Sequence, residues 1–130
     1  MLLPQFHKLK VVDKIWGQEH WVENNKEDNY CGKLLYFKPG FGFSNHAHYS
    51  KVESWLIFSS IFKLEYFDLE KAVRLTKTLY KGDCIFIQKG VFHKLTNTGD
   101  EEGLIFEVST FHRDEDSYRI EKGEIPEVEI

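Results

Sequence analysis

Two histidines, His46 and His48, stand one residue apart, and Glu53 and His93 follow them along the chain. Side chains two residues apart on a strand share a face, so both imidazoles can point into one cavity. Glu53 can join them after a tight turn at 49–51, whereas His93 must come from a separate strand. Three imidazoles and one carboxylate are a donor set for a divalent ion such as Zn, Mn, Fe, Co or Ni. We therefore predict one divalent metal ion per chain, with positions left open for water or substrate if the metal takes five or six ligands.

The residues around these four candidate ligands have a characteristic spacing. Residues 40–60 read G-x5-HAH-x4-E-x6-S, and residues 82–97 read G-x5-QKG-x2-H-x3-N. This spacing resembles the two sequence motifs of the cupin superfamily, in which the two histidines, the glutamate and the later histidine are metal ligands. Ser60 stands where the family usually has Gly, which predicts a turn without a positive φ, and Gln88 stands where it usually has Pro. Singly, each residue reads more simply as a surface histidine or an exposed carboxylate, but their joint spacing favours the metal site.

Short strands separated by turn signals fill the chain. We expect strands at 15–16 and 20–22 around Gly17, at 31–38, 43–48 and 52–59, and at 62–67, 73–80, 84–87, 91–97 and 104–109. Such regular spacing, without sustained helical periodicity, predicts an all-β sandwich or barrel. The resemblance implies the cupin double-stranded β-helix, a jelly-roll barrel. We predict a single cupin domain over 1–130, with N-terminal strands at about 14–22 and a C-terminal tail at 110–130.

The composition of the chain limits the kinds of partner that it can bind. The formal net charge of −4 argues against nucleic-acid binding, which requires a basic surface. No apolar run approaches the roughly 20 residues that cross a membrane, and polar residues interrupt any leader, so we predict a cytoplasmic protein. Cys31 and Cys84 are expected to be free. We also predict a homodimer, because the resemblance implies one and because the aromatic N-terminal strand pair with Trp16 and Trp21 suits subunit contact.

Three further segments resemble one group within the cupins. They are KIWG at 14–17, with Trp21 and two asparagines after it, then ESW at 53–55, and finally FEVS, DED and YRIE at 106–109, 114–116 and 118–121. They resemble the type II mannose-6-phosphate isomerases, and an ending like the first part of the tail occurs in small D-lyxose isomerases. That group usually has Gln at the position of His46. The resemblance implies a metal-dependent isomerase or epimerase that acts on a sugar or sugar phosphate.

Aldose–ketose isomerisation also needs a base and groups that hold the substrate. Glu107 is the candidate catalytic base because a carboxylate in the middle of an apolar strand needs a reason, although it could face outward or cap a neighbouring strand. Lys33 and Arg119 are candidate substrate ligands, with a solvent-facing lysine and an ion pair to Asp116 or Glu115 as the simpler alternatives.

Other aromatic and titratable residues are weighed in the same way. Trp55, with the other two tryptophans, is a candidate for lining a sugar pocket, and core packing is its commoner role. His7 and His20 are expected at the surface or in packing, and His112 is left open. The acidic run at 114–116 is interpreted as a solvated loop.

Two alternative functions stay open at this point. One is a non-catalytic cupin that binds or senses a sugar, and the other is a metal-dependent dioxygenase-type cupin. The isomerase-like tail favours the first hypothesis over the oxygenase, because an oxygenase does not need that tail. The absence of an obvious second acid or base counts against catalysis.

Overall fold

The structure is a computed structural model that describes residues 2–119. These residues form eleven strands and one short 3-10 helix at Asp114–Asp116, with no α-helix among them. The strands are β1 (Lys10–Lys14), β2 (Gly17–Asn25), β3 (Tyr30–Phe37), β4 (His46–Ala47), β5 (Glu53–Ile57), β6 (Phe62–Asp68), β7 (Val73–Leu79), β8 (Cys84–Ile87), β9 (His93–Asn97), β10 (Gly103–Ser109) and β11 (Tyr118–Arg119).

The strands form two antiparallel sheets that face each other. One has the order β1-β2-β3-β10-β5-β8 and the other the order β11-β4-β9-β6-β7. Strands that are distant in sequence therefore become neighbours, as β10 does between β3 and β5. This arrangement confirms the all-β class and the jelly-roll barrel predicted from the sequence. The described residues contain no helix that is long and apolar enough to cross a membrane.

Alternation along the strands decides what lies between the sheets. Every second residue of β3 and β5 is buried, as period-2 geometry requires. Glu53, Trp55 and Ile57 share the buried face of β5. The core is built mainly from Trp16, Leu35, Phe37, Trp55, Ile57, Phe62, Leu64, Leu79, Ile87, Leu95 and Ile105.

The first hairpin differs from the prediction. The expected strand at 15–16 is the turn of the hairpin, and β1 comes before it at Lys10–Lys14. Gly17 explains this position, because a Cβ there would collide with the carbonyl oxygen of Tyr36 on β3. Trp16 in the turn folds into the core, where its ring stacks on Phe37 with the centroids 4.4 Å apart.

Two local expectations are also wrong. Regular strand structure at β4 covers only two residues instead of 43–48. Ser60 adopts a φ of +68°, so the turn keeps the left-handed conformation that glycine would favour. Hydrogen bonds stabilise it there: Ser60 Oγ donates to Asn97 Oδ1 at 2.7 Å, and the Ser60 backbone N–H donates to Glu101 Oε1 at 3.0 Å.

Candidate metal centre and its cavity

The barrel brings the three histidines of the two motifs together. His46 lies on β4 directly opposite His93 on β9, and His48 follows β4 one residue after its end. Each offers a ring nitrogen, and these nitrogens all lie within 4.8 Å of one another. The cluster could therefore hold a metal ion, as the HxH spacing and the later histidine predict.

Backbone contacts fix the ring orientations. Nδ1 of His46 lies 2.8 Å from the backbone carbonyl oxygen of Ser44. Nδ1 of His48 lies 3.1 Å from the carbonyl oxygen of Asp116, and Nδ1 of His93 lies 2.9 Å from that of Val91. A carbonyl only accepts, so Nδ1 of each neutral ring carries the proton and Nε2 keeps its lone pair. Nε2 of His93 is buried without a hydrogen-bond partner among the described residues. Imidazoles oriented in this way fit a metal, because ligating histidines usually donate their other ring N–H to such a group.

The environment keeps the imidazoles of His46 and His48 neutral, which is the form that binds a metal. Burial, followed by the neighbouring His93, lowers the pKa of His46 to about 3. Burial also lowers the pKa of His48, although the Glu53 carboxylate opposes that effect. Both rings are therefore neutral at pH 7.

Glu53 begins β5 and lies beside two of the three rings. Its Oε1 is 3.4 Å from His93 Nε2, and its Oε2 is 3.7 Å from His48 Nε2. Burial alone would raise the pKa of Glu53, but the Lys51 ammonium 3.1 Å from its Oε2 holds that pKa well below the usual range. The carboxylate is therefore charged and faces the imidazole cluster.

Glu107 points into the barrel. On β10 it pairs with Lys33 on one side and with Trp55 on the other, and it is 5% exposed. Its Oε1 accepts a hydrogen bond from Trp55 Nε1 at 3.2 Å, and its Oε2 lies 3.5 Å from Lys51 Nζ and 4.0 Å from Lys33 Nζ. Oε2 has no hydrogen-bond partner in the part of the chain that the structure describes. The outward-facing and strand-capping alternatives for Glu107 do not hold.

Lys33 is buried rather than solvent-facing, since it is 2% exposed. Its Nζ lies 3.5 Å from Glu19 Oε1 and 4.0 Å from the centre of the Trp21 ring, and Trp21 Nε1 donates to the same Glu19 oxygen at 2.8 Å. Burial would raise the pKa of Glu19, but the Lys33 ammonium lowers it. One wall of the cavity is therefore a charged network on β2 and β3.

Lys51 is a site residue that the sequence analysis did not consider. It is 4% exposed and lies between the carboxylates of Glu53 and Glu107. Burial would lower its pKa, but these two carboxylates raise it above the ordinary value, so Lys51 is an ammonium. Strand parity could not have found it, because Lys51 precedes β5 and falls in the turn expected at 49–51.

Asp116 is the second residue that was missed. It is 7% exposed, so the solvated-loop interpretation is wrong for it, while Asp114 and Glu115 are exposed. Its carboxylate accepts hydrogen bonds from the backbone N–H groups of Tyr49 and Ser50 at 2.9 and 3.1 Å and from Ser50 Oγ at 2.7 Å. Because its carbonyl also contacts the His48 ring, Asp116 ties the C-terminal segment to a candidate ligand.

His112 and Arg119 lie at the rim of the cavity. Lys51 Nζ is 3.3 Å from His112 Nδ1, and His112 Nε2 is 2.9 Å from Asp114 Oδ1. Burial, and then the Lys33 and Lys51 ammonium groups, lower the pKa of His112 to about 4. Arg119 Nη1 donates to Ser44 Oγ at 2.7 Å, in place of the ion pair considered from the sequence.

The other aromatic and histidine residues divide between core and surface. Trp55 is 2% exposed and lies beneath the cavity, while Trp21 lines it. His7 is exposed and its Nε2 lies 3.7 Å from Glu23 Oε2. His20 packs against Tyr36 with the ring centroids 4.5 Å apart. The motif residues Ile120 and Glu121, like the rest of the tail beyond Arg119, lie outside the described residues.

Together these groups line one cavity of about 430 Å³. Its wall includes imidazoles, carboxylates and ammonium groups, namely His46, His48, Glu53, Glu107, Lys33, Lys51, His112 and Arg119. The cavity can hold a small polar molecule against the imidazole cluster, with both acceptors and cationic donors within reach.

Solved structures share this architecture, which is that of a small cupin. CapF from Staphylococcus aureus matches with a TM-score of 0.77 at 20% identity, over 89% of this chain and 32% of that one. An oxalate decarboxylase variant from Bacillus subtilis matches at 0.74 and 15% identity, over 86% and 30% of the two chains. KdgF from Halomonas sp. matches at 0.67 and 15% identity, over 84% and 90%. The chain thus spans about a third of the length of the first two.

The sequence also assigns the chain to a family. Residues 4–122 match the family described as mannose-6-phosphate isomerase C-terminal, and the chain belongs to that family. None of the proteins with a curated description matches the sequence.

Proposed function

We propose that this protein is a metal-dependent isomerase or epimerase that acts on a small sugar or sugar phosphate. The observation that carries the proposal is the shared cavity, which is lined by His46 and His48 of the three-histidine cluster and by Glu107, whose Oε2 accepts no hydrogen bond among the described residues. Membership of the mannose-6-phosphate isomerase family supports a sugar substrate. The binding of one divalent ion, Zn, Mn, Fe, Co or Ni, is part of the proposal.

We assign His46, His48, His93 and Glu53 as the residues that hold the metal. The mixed nitrogen and oxygen set suits these ions, and the ring orientations described above leave the three Nε2 lone pairs for coordination. A divalent ion at this place would polarise the substrate carbonyl and stabilise the negative charge that develops on the neighbouring oxygens.

Glu107 is proposed as the base that moves the proton. Glu107 Oε2 would take the proton from the carbon next to the carbonyl and return it to the former carbonyl carbon, while the hydroxyl proton of one substrate oxygen passes to the other oxygen, so that an aldose becomes a ketose without net proton loss. Trp55 orients this carboxylate through its indole N–H, a role that replaces the sugar contact considered from the sequence. Lys33 at the wall and Arg119 at the rim are proposed to bind substrate hydroxyl or phosphate oxygens.

Hydrogen exchange tests this proposal directly. Metal-loaded protein incubated in deuterated water with a panel of aldoses, ketoses and their phosphates should incorporate deuterium at the carbon next to the carbonyl, as measured by NMR. Glu107→Gln should keep the metal and lose the exchange by about 100-fold or more. Glu23→Gln, outside the cavity, is the matched control. Exchange that is unchanged in Glu107→Gln would remove Glu107 as the base.

Metal binding is tested separately. His48→Ala and His93→Ala should lower the metal content of the purified protein sharply, while His20→Ala, on the outer surface, should not. Full metal occupancy in both cavity variants would exclude the proposed ligand set.

A non-catalytic sugar-binding or sensing role is the second candidate. The observation in its favour is that Glu107 already contacts two ammonium groups and an indole, so its carboxylate is part of an ion-paired network. Saturable sugar binding by calorimetry without any deuterium incorporation would favour this role. Oxygen consumption by the iron-loaded protein would instead favour the dioxygenase-type alternative.

A cytoplasmic location remains part of the proposal, and the two free cysteines are compatible with it.

A further inference from the structure

Two charged side chains stand next to each other on the inner face of the six-stranded sheet. Lys33 on β3 and Glu107 on β10 are directly opposite in the register of the two strands, and both are buried. Nζ of Lys33 and Oε2 of Glu107 are 4.0 Å apart. A hydrogen bond requires roughly 2.7–3.2 Å, so the two atoms do not bond directly, yet a single oxygen atom could contact both.

Both members of this pair have hydrogen-bonding capacity to spare. Glu107 Oε2 is a buried acceptor without a hydrogen bond among the described residues. The carboxylate oxygen nearest to Lys33 Nζ is Glu19 Oε1 at 3.5 Å, and the centre of the Trp21 ring lies 4.0 Å from the same nitrogen. An ammonium carries three donors. A substrate hydroxyl could accept from Lys33 and donate to Glu107, which would remove the cost of leaving these buried groups without partners.

The other buried ammonium of the cavity is bound more closely. Lys51 Nζ lies 3.1 Å from Glu53 Oε2 and 3.3 Å from His112 Nδ1. Its donors are therefore directed at a candidate metal ligand and at the rim. Among the described residues, the ion pairs of Lys33 are with Glu19 and Glu107, neither of which is a candidate ligand. Lys33 is thus the ammonium that is available to a substrate oxygen.

Aldose–ketose isomerisation moves two protons, one between carbons and one between oxygens. Glu107 is assigned to the first, and the second requires a separate carrier. We propose that Lys33 is the second acid–base residue of the cavity and carries the proton from one substrate oxygen to the other. This inference rests on the proposed function and selects the isomerase within it, because epimerisation next to a carbonyl requires no proton transfer between oxygens.

The proton transfers balance over one turnover. Glu107 takes the proton from the carbon next to the carbonyl, the electron pair of that bond forms a carbon–carbon double bond, and the carbonyl oxygen takes up the negative charge. The Lys33 ammonium gives a proton to this oxygen, and the resulting amine takes the proton of the neighbouring hydroxyl as the new carbonyl forms. The electron pair of the double bond then takes the proton of Glu107 at the former carbonyl carbon. Lys33 ends as an ammonium and Glu107 as a carboxylate, so no co-reactant is consumed.

Two measurable processes separate the roles of these residues. Return of the enediolate to the aldose requires only Glu107, and in deuterated water it replaces the carbon-bound hydrogen by deuterium. Formation of the ketose also requires the proton transfer between oxygens. Loss of Lys33 should therefore reduce conversion to the ketose far more than exchange in the recovered aldose.

The experiment measures both processes by NMR in deuterated water, with the metal-loaded protein and the panel of aldoses and aldose phosphates used above. Lys33→Met should lower conversion by about 100-fold or more and exchange by about ten-fold or less. Lys33→Arg keeps the positive charge beside Glu19 and Glu107 but cannot give up its proton, so it should show the same split. Lys77→Met, at an exposed position on β7, is the matched control and should leave both rates unchanged.

The Arg variant also separates the chemistry from folding, because it preserves the ion pairs of the wild type. Conversion that stays within about ten-fold of the wild type in either variant would overturn the assignment. Exchange that is lost as completely as conversion would also overturn it, since Lys33 would then only hold Glu107 in place.

The wild type itself distinguishes failure of this inference from failure of the proposed function. Epimerisation without any ketose would leave the proposed function standing and reject the role of Lys33. A wild type with neither exchange nor conversion would reject the proposed function, and the role of Lys33 with it.

Discussion

The two ends of the barrel interior are built by the same strands and have opposite character. At one end, β3, β5 and β9 contribute Leu35, Ile57 and Leu95, all 3% exposed or less. At the other end the same strands contribute Lys33, Glu53 and His93, which are just as deeply buried. The difference shows that one end provides the stability that holds charged groups in position at the other.

The physical chemistry of burial supports this division. Burying a large apolar side chain contributes about 1.5–3 kcal/mol, whereas a buried ion pair roughly balances its own desolvation. The polar end, with two ammonium groups and the three carboxylates of Glu19, Glu53 and Glu107 in one network, is therefore not explained by stability. Its groups are what a metal and a polar substrate would require.

The largest effect on stability is expected at the apolar end. Phe62 is fully buried and its ring meets that of Phe37 edge to face, with the centroids 5.2 Å apart. Phe62→Ala should lower the free energy of unfolding by about 3–5 kcal/mol in urea titrations, because it leaves a cavity. Phe41→Ala, at a 46% exposed position, should change it by about 0.5 kcal/mol or less. A small loss in Phe62→Ala would mean that this end does not dominate stability.

Removal of a charge at the polar end should lower the free energy of unfolding nearly as much as Phe62→Ala does, but this loss should depend on whether metal is bound. Lys51→Met leaves Glu53 without its ammonium partner, so we expect a loss of about 3 kcal/mol in metal-free buffer. A saturating divalent ion should restore part of that loss, since it supplies positive charge beside Glu53. Lys63→Met, at an exposed ion pair, is the control. If metal does not restore any stability, Glu53 does not pair with both Lys51 and the metal ion.

A smaller effect is expected where the backbone orients a ligand. Asp116→Ala removes the acceptor for the Tyr49 and Ser50 N–H groups, so the loop that carries His48 should loosen. Metal affinity measured by calorimetry should fall by about 10–100-fold, the range seen when groups that orient ligands are lost. Asp114→Ala, at a side chain that is 95% exposed, should leave the affinity close to that of the wild type.

The effect that is smallest at neutral pH is a change in the pH dependence of stability. The pKa of His112 is about 4 in the folded protein and about 6.5 when unfolded, so between these values the unfolded state binds more protons. Stability from this residue is complete above pH 6.5 and is lost as the pH falls toward 4. His112→Gln should therefore reduce the slope in this window by at most about 1.4 kcal/mol per pH unit, in urea titrations with chelator present. The difference between the two proteins should be constant above pH 7, and an unchanged slope at low pH would contradict the burial of this ring.

Much of this architecture was predictable because it depends on local spacing. The alternation in β5 and the HxH pattern specify which side chains share a face, and turn residues separate most strands. The first hairpin was misplaced because the position of its turn depends on a contact between Gly17 and β3, which is distant in sequence. Ser60 was misjudged for the same reason, since its positive φ is stabilised by Asn97 and Glu101.

The sequence by itself determined the all-β class, the histidine cluster and the inward strand faces, because these follow from residue type and a two-residue period. The tertiary structure alone decided that Lys51 lies between two carboxylates and that Asp116 is buried against the loop of His48. These features depend on which strands become neighbours, and the order of strands in a jelly roll joins segments far apart along the chain.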